Sequence, residues 1–140
     1  MAYTVLGDAV NLASRLEGLT KTYGVEIIVG EATKNAVPEY AYRELDLVRV
    51  KGKEQPVGIY EPIALHNEIS PDEEQELDLF NDCLKHYRRQ DWNTAESIFQ
   101  QLIQAHPERL LYKLYLERTI DYRNSPPGED WDGVFTHKTK

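Results

Sequence analysis

Apolar residues recur first at helical spacing, then at alternate positions, then at helical spacing again, and this order divides the chain into two unlike halves. Tyr3–Leu6 reads as the end of a strand. Leu12, Leu16, Leu19 and Tyr23 form the stripe of a helix running from Ala9 to about Thr22, which Gly24 stops as a C′ glycine. Glu26–Val29 predicts a short β-branched strand, and Glu31–Ala36 a brief helix closed by Pro38. Ala41–Val50 and Val57–Ile63 read as two strands, with the turn carried by residues 52–56. A polar stretch, His66 to Asp72, then acts as a linker, and Ser70-Pro71-Asp72-Glu73 opens a helix. Leu77, Phe80, Leu84 and Tyr87 make one apolar stripe. Trp92, Ala95, Phe99 and Leu102 make the next, ended by Pro107. A third helix is expected from about Glu108 to Tyr122, stopped by Ser125-Pro126-Pro127-Gly128. The tail beyond reads as irregular, yet Trp131 and Phe135 are large enough that one of them is expected to dock on the body. The expectation is an α+β chain with a sheet-containing part over 1–65, a linker over 66–72, a helical part over 73–123 and an irregular tail over 124–140.

Composition narrows the class. The 140 residues suffice for one domain or two very small ones, and 41% hydrophobic with 29% charged residues suits a soluble globular chain. No run of about 18 apolar residues is present and no signal peptide is read at Met1-Ala2, so no membrane contact by this segment and a cytoplasmic location are expected. One cysteine, Cys83, excludes an internal disulfide and fits a reducing compartment. The net charge of −8 is uneven: residues 1–65 carry seven basic and nine acidic side chains, residues 66–140 nine and fifteen. So acidic a chain is a poor nucleic-acid binder, because that binding rests on phosphate neutralisation. A nucleotide can still bind where local cations outweigh the global charge.

The candidate chemistry lies at the first helix. Asp8 suits the N-cap, and Asn11 and Arg15, one turn apart, project from one face. An amide beside a guanidinium can hold a ribose and a phosphoryl oxygen; a solvated surface helix has the same spacing. The surrounding sequence GDAVNLASRLE resembles the signature helix of class III nucleotidyl cyclases. Downstream, Arg43 to Lys53 followed by Pro56-Val57-Gly58-Ile59-Tyr60-Glu61 resembles the closing hairpin of the same catalytic domain, in the same order. The resemblance covers residues 3 to about 63. It implies the C-terminal portion of a ferredoxin-like cyclase catalytic domain over 1–65.

The family joins the ribose 3′-hydroxyl of a nucleoside triphosphate to its own α-phosphate and releases pyrophosphate. The resemblance implies that Arg15 contacts the α-phosphate in the transition state, that Asn11 orients the ribose and that Lys51 reaches the terminal phosphates. Thr4 matches the position that reads the purine edge, and a threonine there points to ATP, since its hydroxyl can accept from the adenine amino group. As a plain β-former Thr4 needs no such role. Lys53 reads as a solvated turn residue. The Mg or Mn ions of the complete enzyme imply aspartates that lie upstream in the family, so no metal ligand is assigned in this chain. Family sites form between two catalytic domains, one supplying metals and the other the residues just named. A homo-oligomer is therefore expected, the isolated chain is expected to be inactive, and any membrane anchor of the parent protein is expected in its absent N-terminal region. A sheet short of strands exposes edges, which predicts either strand exchange between copies or a helical tail covering the sheet.

The helices around Asp91-Trp92 resemble one tetratricopeptide repeat: Ala95 takes its small position, Phe99 its aromatic and Pro107 its closing proline. Cys83 departs from the usual glycine, and Leu79 from the usual tryptophan. A single repeat cannot bury its own faces, so a protein partner through these helices is one expectation and a plain helical hairpin another. His66, His86, His106 and His137 lack metal-ligand spacing. Cys83 is expected to be buried, and the acidic run Asp72–Glu76 is expected to complement the helix dipole. Two functions stay open beside an adenylate cyclase converting ATP to cyclic AMP: a non-catalytic interaction module, and a guanylate cyclase.

Overall fold

Strand β2, Tyr40–Arg49, pairs antiparallel with β3, Val57–Leu65, and this hairpin is the frame of the first part of the protein. The computed structural model describes residues 18–49 and 55–136. They fall into two compact units: one runs to Ile69 and resumes at Val134, the other is Ser70–Gly133. The architecture is α+β.

In the first unit residues 18–23 are helical (α1). Gly24, at φ +70°, ends the helix, and the Val25 amide reaches back to the Thr20 carbonyl at 3.0 Å. This is the left-handed closure that glycine makes without Cβ strain. A two-residue β1, Val29–Gly30, pairs with β3, and α2, Glu31–Ala36, follows at once. The strand expected over Glu26–Val29 is thus shorter and later, its β-branched Ile27 lying more than half exposed. A fourth strand, β4 (Phe135–Thr136), lies parallel to β2, giving the order β1-β3-β2-β4. The tail is therefore not wholly irregular: after the helical unit it returns to cover β2 beside Val48 and Arg49.

β2 carries a surplus residue. Glu44 faces Tyr60 and Asp46 faces Ile59, so Leu45 has no partner position of its own. The buried positions run Ala41, Arg43, Leu45 and then switch phase to Asp46 and Val48. A bulge changes the parity of a strand in this way. Arg43 is 1% exposed, and its Nη1 donates to Glu61 Oε1 at 2.7 Å directly across the ladder.

The second unit comprises α3 (Pro71–Arg88), α4 (Trp92–Ala105) and α5 (Leu110–Asn124). Ser70 and Glu73 form a capping box at the start of α3, with Pro71 in the first turn. Phe80, Cys83, Leu84 and Tyr87 of α3 are buried, as are Ala95, Phe99 and Leu102 of α4 and Tyr112, Tyr115 and Thr119 of α5. Rings dominate this core: Phe80 lies 5.3 Å from Tyr112, and Phe99 stacks on Tyr115 at 5.4 Å. α5 begins two residues later than its sequence suggests, because Arg109, in extended conformation, takes the N-cap. Among the described residues no helix is long and apolar enough to cross a membrane.

Candidate functional site

The motif residues Thr4, Asn11, Arg15 and Lys51 lie outside the described residues, as do Asp8, Lys53 and His137. The structure defines instead the elements that flank them in sequence. α1 continues the chain that carries Asn11 and Arg15, and its last residue, Tyr23, is fully buried. The Tyr23 hydroxyl donates to Asp46 Oδ2 at 2.6 Å, while Asp46 Oδ1 accepts from the Leu47 amide at 2.9 Å. Asp46 faces inward directly after the bulge at Leu45. α1 is thereby pinned to β2, the strand whose end at Arg49 lies two residues before Lys51. On the far side of the turn, β3 begins at Val57. Two cations of this frame have close partners: Arg43 pairs with Glu61, and Lys34 Nζ sits 4.9 Å from the centre of the Tyr60 ring.

Among the described residues no group of three or more His, Cys, Asp and Glu is placed to hold a metal ion. Two of the histidines pair locally. His86 Nδ1 lies 3.0 Å from Asp91 Oδ2, and His106 Nε2 lies 3.4 Å from Glu76 Oε1. A shallow cavity of about 350 Å³ in the first unit is lined by Lys34, Pro38, Tyr40, Tyr42 and His66. Burial, with Glu39 next, pushes the Tyr42 hydroxyl above its ordinary pKa, and that hydroxyl donates to the Val37 carbonyl at 2.8 Å.

The helical unit holds a polar cluster that its sequence disguises. Glu76 belongs to the acidic run assigned to the helix dipole, and Asp72, Glu73 and Glu74 do occupy the first turn of α3. Glu76 is instead a buried carboxylate. Tyr112 Oη donates to its Oε2 at 2.5 Å, and Arg109 Nε lies 2.6 Å from the same oxygen, out of line for a hydrogen bond, so that contact is ionic. The available signal was spacing: Glu76 is one position before Leu77 and four before Phe80, on the apolar side of the helix. Beside the cluster, α3 and α4 form a groove of about 640 Å³ whose lining includes Asp72, Asp78 and Asp82 together with Leu79, Leu102 and Ala105.

Cys83 is fully buried, and its thiol donates to the Ala95 carbonyl at 3.4 Å. Burial, helped by the neighbouring Asp82 charge, pushes its pKa up to about 12. It is a packing residue rather than a nucleophile, since the thiolate is the reactive form.

No family model matches the chain, and no solved structure does. Three curated proteins are similar to it. One is "Adenylate cyclase, terminal-differentiation specific" of Dictyostelium discoideum, 36% identical over 132 residues, which covers 86% of this chain and 6% of that protein. Another is "Adenylate cyclase" of Anabaena cylindrica, 50% identical over 62 residues, 41% of this chain and 12% of that protein. The third is "Adenylate cyclase 1" of Rhizobium meliloti (strain 1021), 32% identical over 74 residues, 52% of this chain and 11% of that protein. The chain thus spans between 6% and 12% of the length of these relatives. An alignment that takes 86% of 140 residues, about 120, cannot fit within the stretch ending at Ile69, so the Dictyostelium similarity continues into the helical unit. Partial matches of this kind support an adenylate cyclase family and a cyclase-related function for the chain.

Proposed function

We propose that the chain is the C-terminal part of the catalytic domain of an adenylate cyclase, followed by a helical extension similar to a tetratricopeptide repeat. The observation that carries this reading is the 50% identity to the Anabaena protein named adenylate cyclase, taken with the Asn11 and Arg15 motif. In this reading the complete enzyme converts ATP to cyclic AMP and pyrophosphate at a site shared by two catalytic domains. Divalent metal ions in that enzyme would stabilise negative charge on the triphosphate. The described residues offer no ligand set for them, and no step assigned to this chain passes through a metal.

Each residue contributes by position and charge. Arg15 meets negative charge as it grows on the α-phosphoryl oxygens; its planar fork stays protonated and offers paired donors. Asn11 fixes the ribose so that the 3′-hydroxyl faces phosphorus, and such orientation accounts for much of the rate in reactions of this kind. Lys51 meets the leaving pyrophosphate as a mobile point charge. Thr4 accepts from the adenine amino group. The pinning of α1 on β2 through Tyr23 and Asp46 supports this reading, because it fixes the segment that follows Asn11 and Arg15 in sequence against the strand that precedes Lys51.

Supplying a polypeptide with the upstream half of the catalytic domain and assaying cyclic AMP tests the proposal. Activity should appear on mixing and fall by about 10²–10³ with Arg15→Ala, the scale of losing one oxyanion donor. GTP in place of ATP should give little product. No activity in any pairing, with both parts folded, overturns the reading. A second reading is favoured by the separate aromatic core of the helical unit: these helices serve as a docking module for a protein partner. A partner that binds residues 70–133 tightly and is indifferent to nucleotide would support it.

A further inference from the structure

The groove between α3 and α4 combines an apolar lining with unanswered negative charge. Leu79 in it is half-buried, Leu102 is buried and Ala105 is exposed. Asp72, Asp78 and Asp82 also line it, and all three are exposed. On α3 they spread over about 15 Å of helix axis. The volume of about 640 Å³ lies in the range of pockets that bury compact ligands.

The architecture of α3 does not account for these acids. Asp72 lies in the first turn, where it complements the dipole; Asp78 and Asp82 lie beyond it, where that effect has faded. Asp78 and Asp82 stand one turn apart, as do Glu74 and Asp78, and like charges at that spacing oppose the helix. Among the described residues no ion pair engages Asp72 or Asp78. Asp82 has the His86 imidazole at 3.7 Å, and that ring is also bonded to Asp91. Of the described lining residues only His106 can carry positive charge, and it faces Glu76 and Glu108 at 3.4 and 3.9 Å. Residues 70–133 hold fourteen acidic and seven basic side chains. A second copy of this chain, an anionic lipid surface or a nucleic acid therefore meets repulsion here, and a cationic polypeptide meets attraction.

We propose that this groove docks a basic amphipathic helix of a protein partner. Its Leu- or Met-like side chains rest on Leu79, Leu102 and Ala105, and its Lys or Arg side chains face Asp72, Asp78 and Asp82. A helix laid along α3 repeats its side chains at the spacing with which the aspartates recur. The inference rests on the second reading above, a docking module, and deepens it by naming the face and the class of partner. The apolar contact fixes the register. The exposed ion pairs speed encounter and reject acidic segments more than they tighten the complex.

Fluorescence anisotropy on the full chain tests the groove. The probe is a labelled peptide of Leu, Lys and Ala, about 18 residues long so that it can form a helix, with Leu on one face and Lys one turn away. Asp78→Asn combined with Asp82→Asn should weaken binding about tenfold, the scale of losing two exposed ion pairs, and raised salt should act in the same direction. Leu79→Gln should also weaken it about tenfold, the scale of withdrawing part of an apolar side chain from contact. The same peptide with Glu in place of Lys should not bind. The two aspartates are exposed, so their replacement leaves the fold intact, which circular dichroism checks. Binding untouched by the aspartate pair and by Leu79→Gln overturns this groove and leaves the docking module standing. Oligolysine that binds as tightly as the Leu-bearing peptide also overturns the groove, because charge alone then suffices. Absence of peptide binding overturns it too, whereas the docking module itself falls only if no protein partner binds residues 70–133.

Discussion

Tyr23 and Asp46 are twenty-three positions apart, and their side chains meet at 2.6 Å in the interior of the sheet unit. Removing the hydroxyl with Tyr23→Phe leaves a buried carboxylate oxygen with a poorer set of partners, which costs about 1–3 kcal/mol. Hydrogen exchange in the β2–β3 hairpin should report the loss. Both tryptophans, Trp92 and Trp131, lie in the helical unit, so the fluorescence-detected unfolding of that unit should barely move. A loss seen equally by both probes would show the pair to matter to more than its own unit.

Cys83 should resist thiol reagents until the helices open. With its pKa pushed from 9.0 up to about 12, the native thiol carries about a thousandfold fewer thiolates near neutral pH than an ordinary cysteine. A thiol whose folded pKa is raised favours the folded state below its ordinary pKa, and that contribution is lost as pH climbs beyond it. Labelling rates in urea should therefore follow unfolding of the helical unit, and Cys83→Ala should flatten its stability profile on the alkaline side. Rapid labelling of the native protein at neutral pH would contradict the burial.

Asp91 supplies the acidic counterpart. Its hydrogen bond with His86 is the chief cause holding its carboxyl below the ordinary range. A depressed carboxyl pKa favours the folded state above its ordinary value, and the contribution disappears as pH falls through the folded pKa. Asp91→Asn should shallow the acid limb of unfolding for the helical unit; an unchanged limb would show the pair to be without effect in solution.

Gln90 occupies the left-handed region at φ +63°, where its amide bonds the Tyr87 carbonyl and the Asp91 amide bonds that of His86. This is a Schellman closure with glutamine in the usual place of glycine. Gln90→Gly removes about 1 kcal/mol of backbone strain and sacrifices the side-chain bond to Gly128, two effects of similar size. Gln90→Ala loses the bond and keeps the strain. Urea unfolding should rank alanine lowest, with glycine near the natural residue.

Glu76 is the costliest single change proposed. Glu76→Ala strands Arg109 and the Tyr112 hydroxyl, and because Arg109 remains 29% exposed the cost should be about 2–3 kcal/mol, below the range for a fully buried pair. Glu76→Gln, which can still accept from Tyr112, should cost less. Chemical denaturation followed by tryptophan fluorescence separates the two.

The sequence showed the stripes of α3 and α4 and the β2–β3 hairpin because each repeats one period over ten or more residues, or across two strands and a turn. It hid β4, which is only two residues long and sits in a tail punctuated by Pro126, Pro127 and two glycines. It hid Glu76 as well, since a carboxylate in an acidic run looks solvated until its partners on α5 are seen. The closure at Gln90 was invisible for a related reason: only glycine advertises a left-handed residue. The candidate site was read from local motifs, and what the fold adds is long-range, a tyrosine on one element finding an aspartate on another.

Leu45 has a wider implication. One unmatched residue lets the two halves of a single strand answer to different sets of neighbours. Excising it would restore an unbroken ladder, with Glu44 opposite Tyr60 followed at once by Asp46 opposite Ile59, and would leave Asp46 and Val48 facing inward. What would vanish is a fully buried leucine together with the local bend of the bulge, so the extra residue is a packing element rather than a spacer.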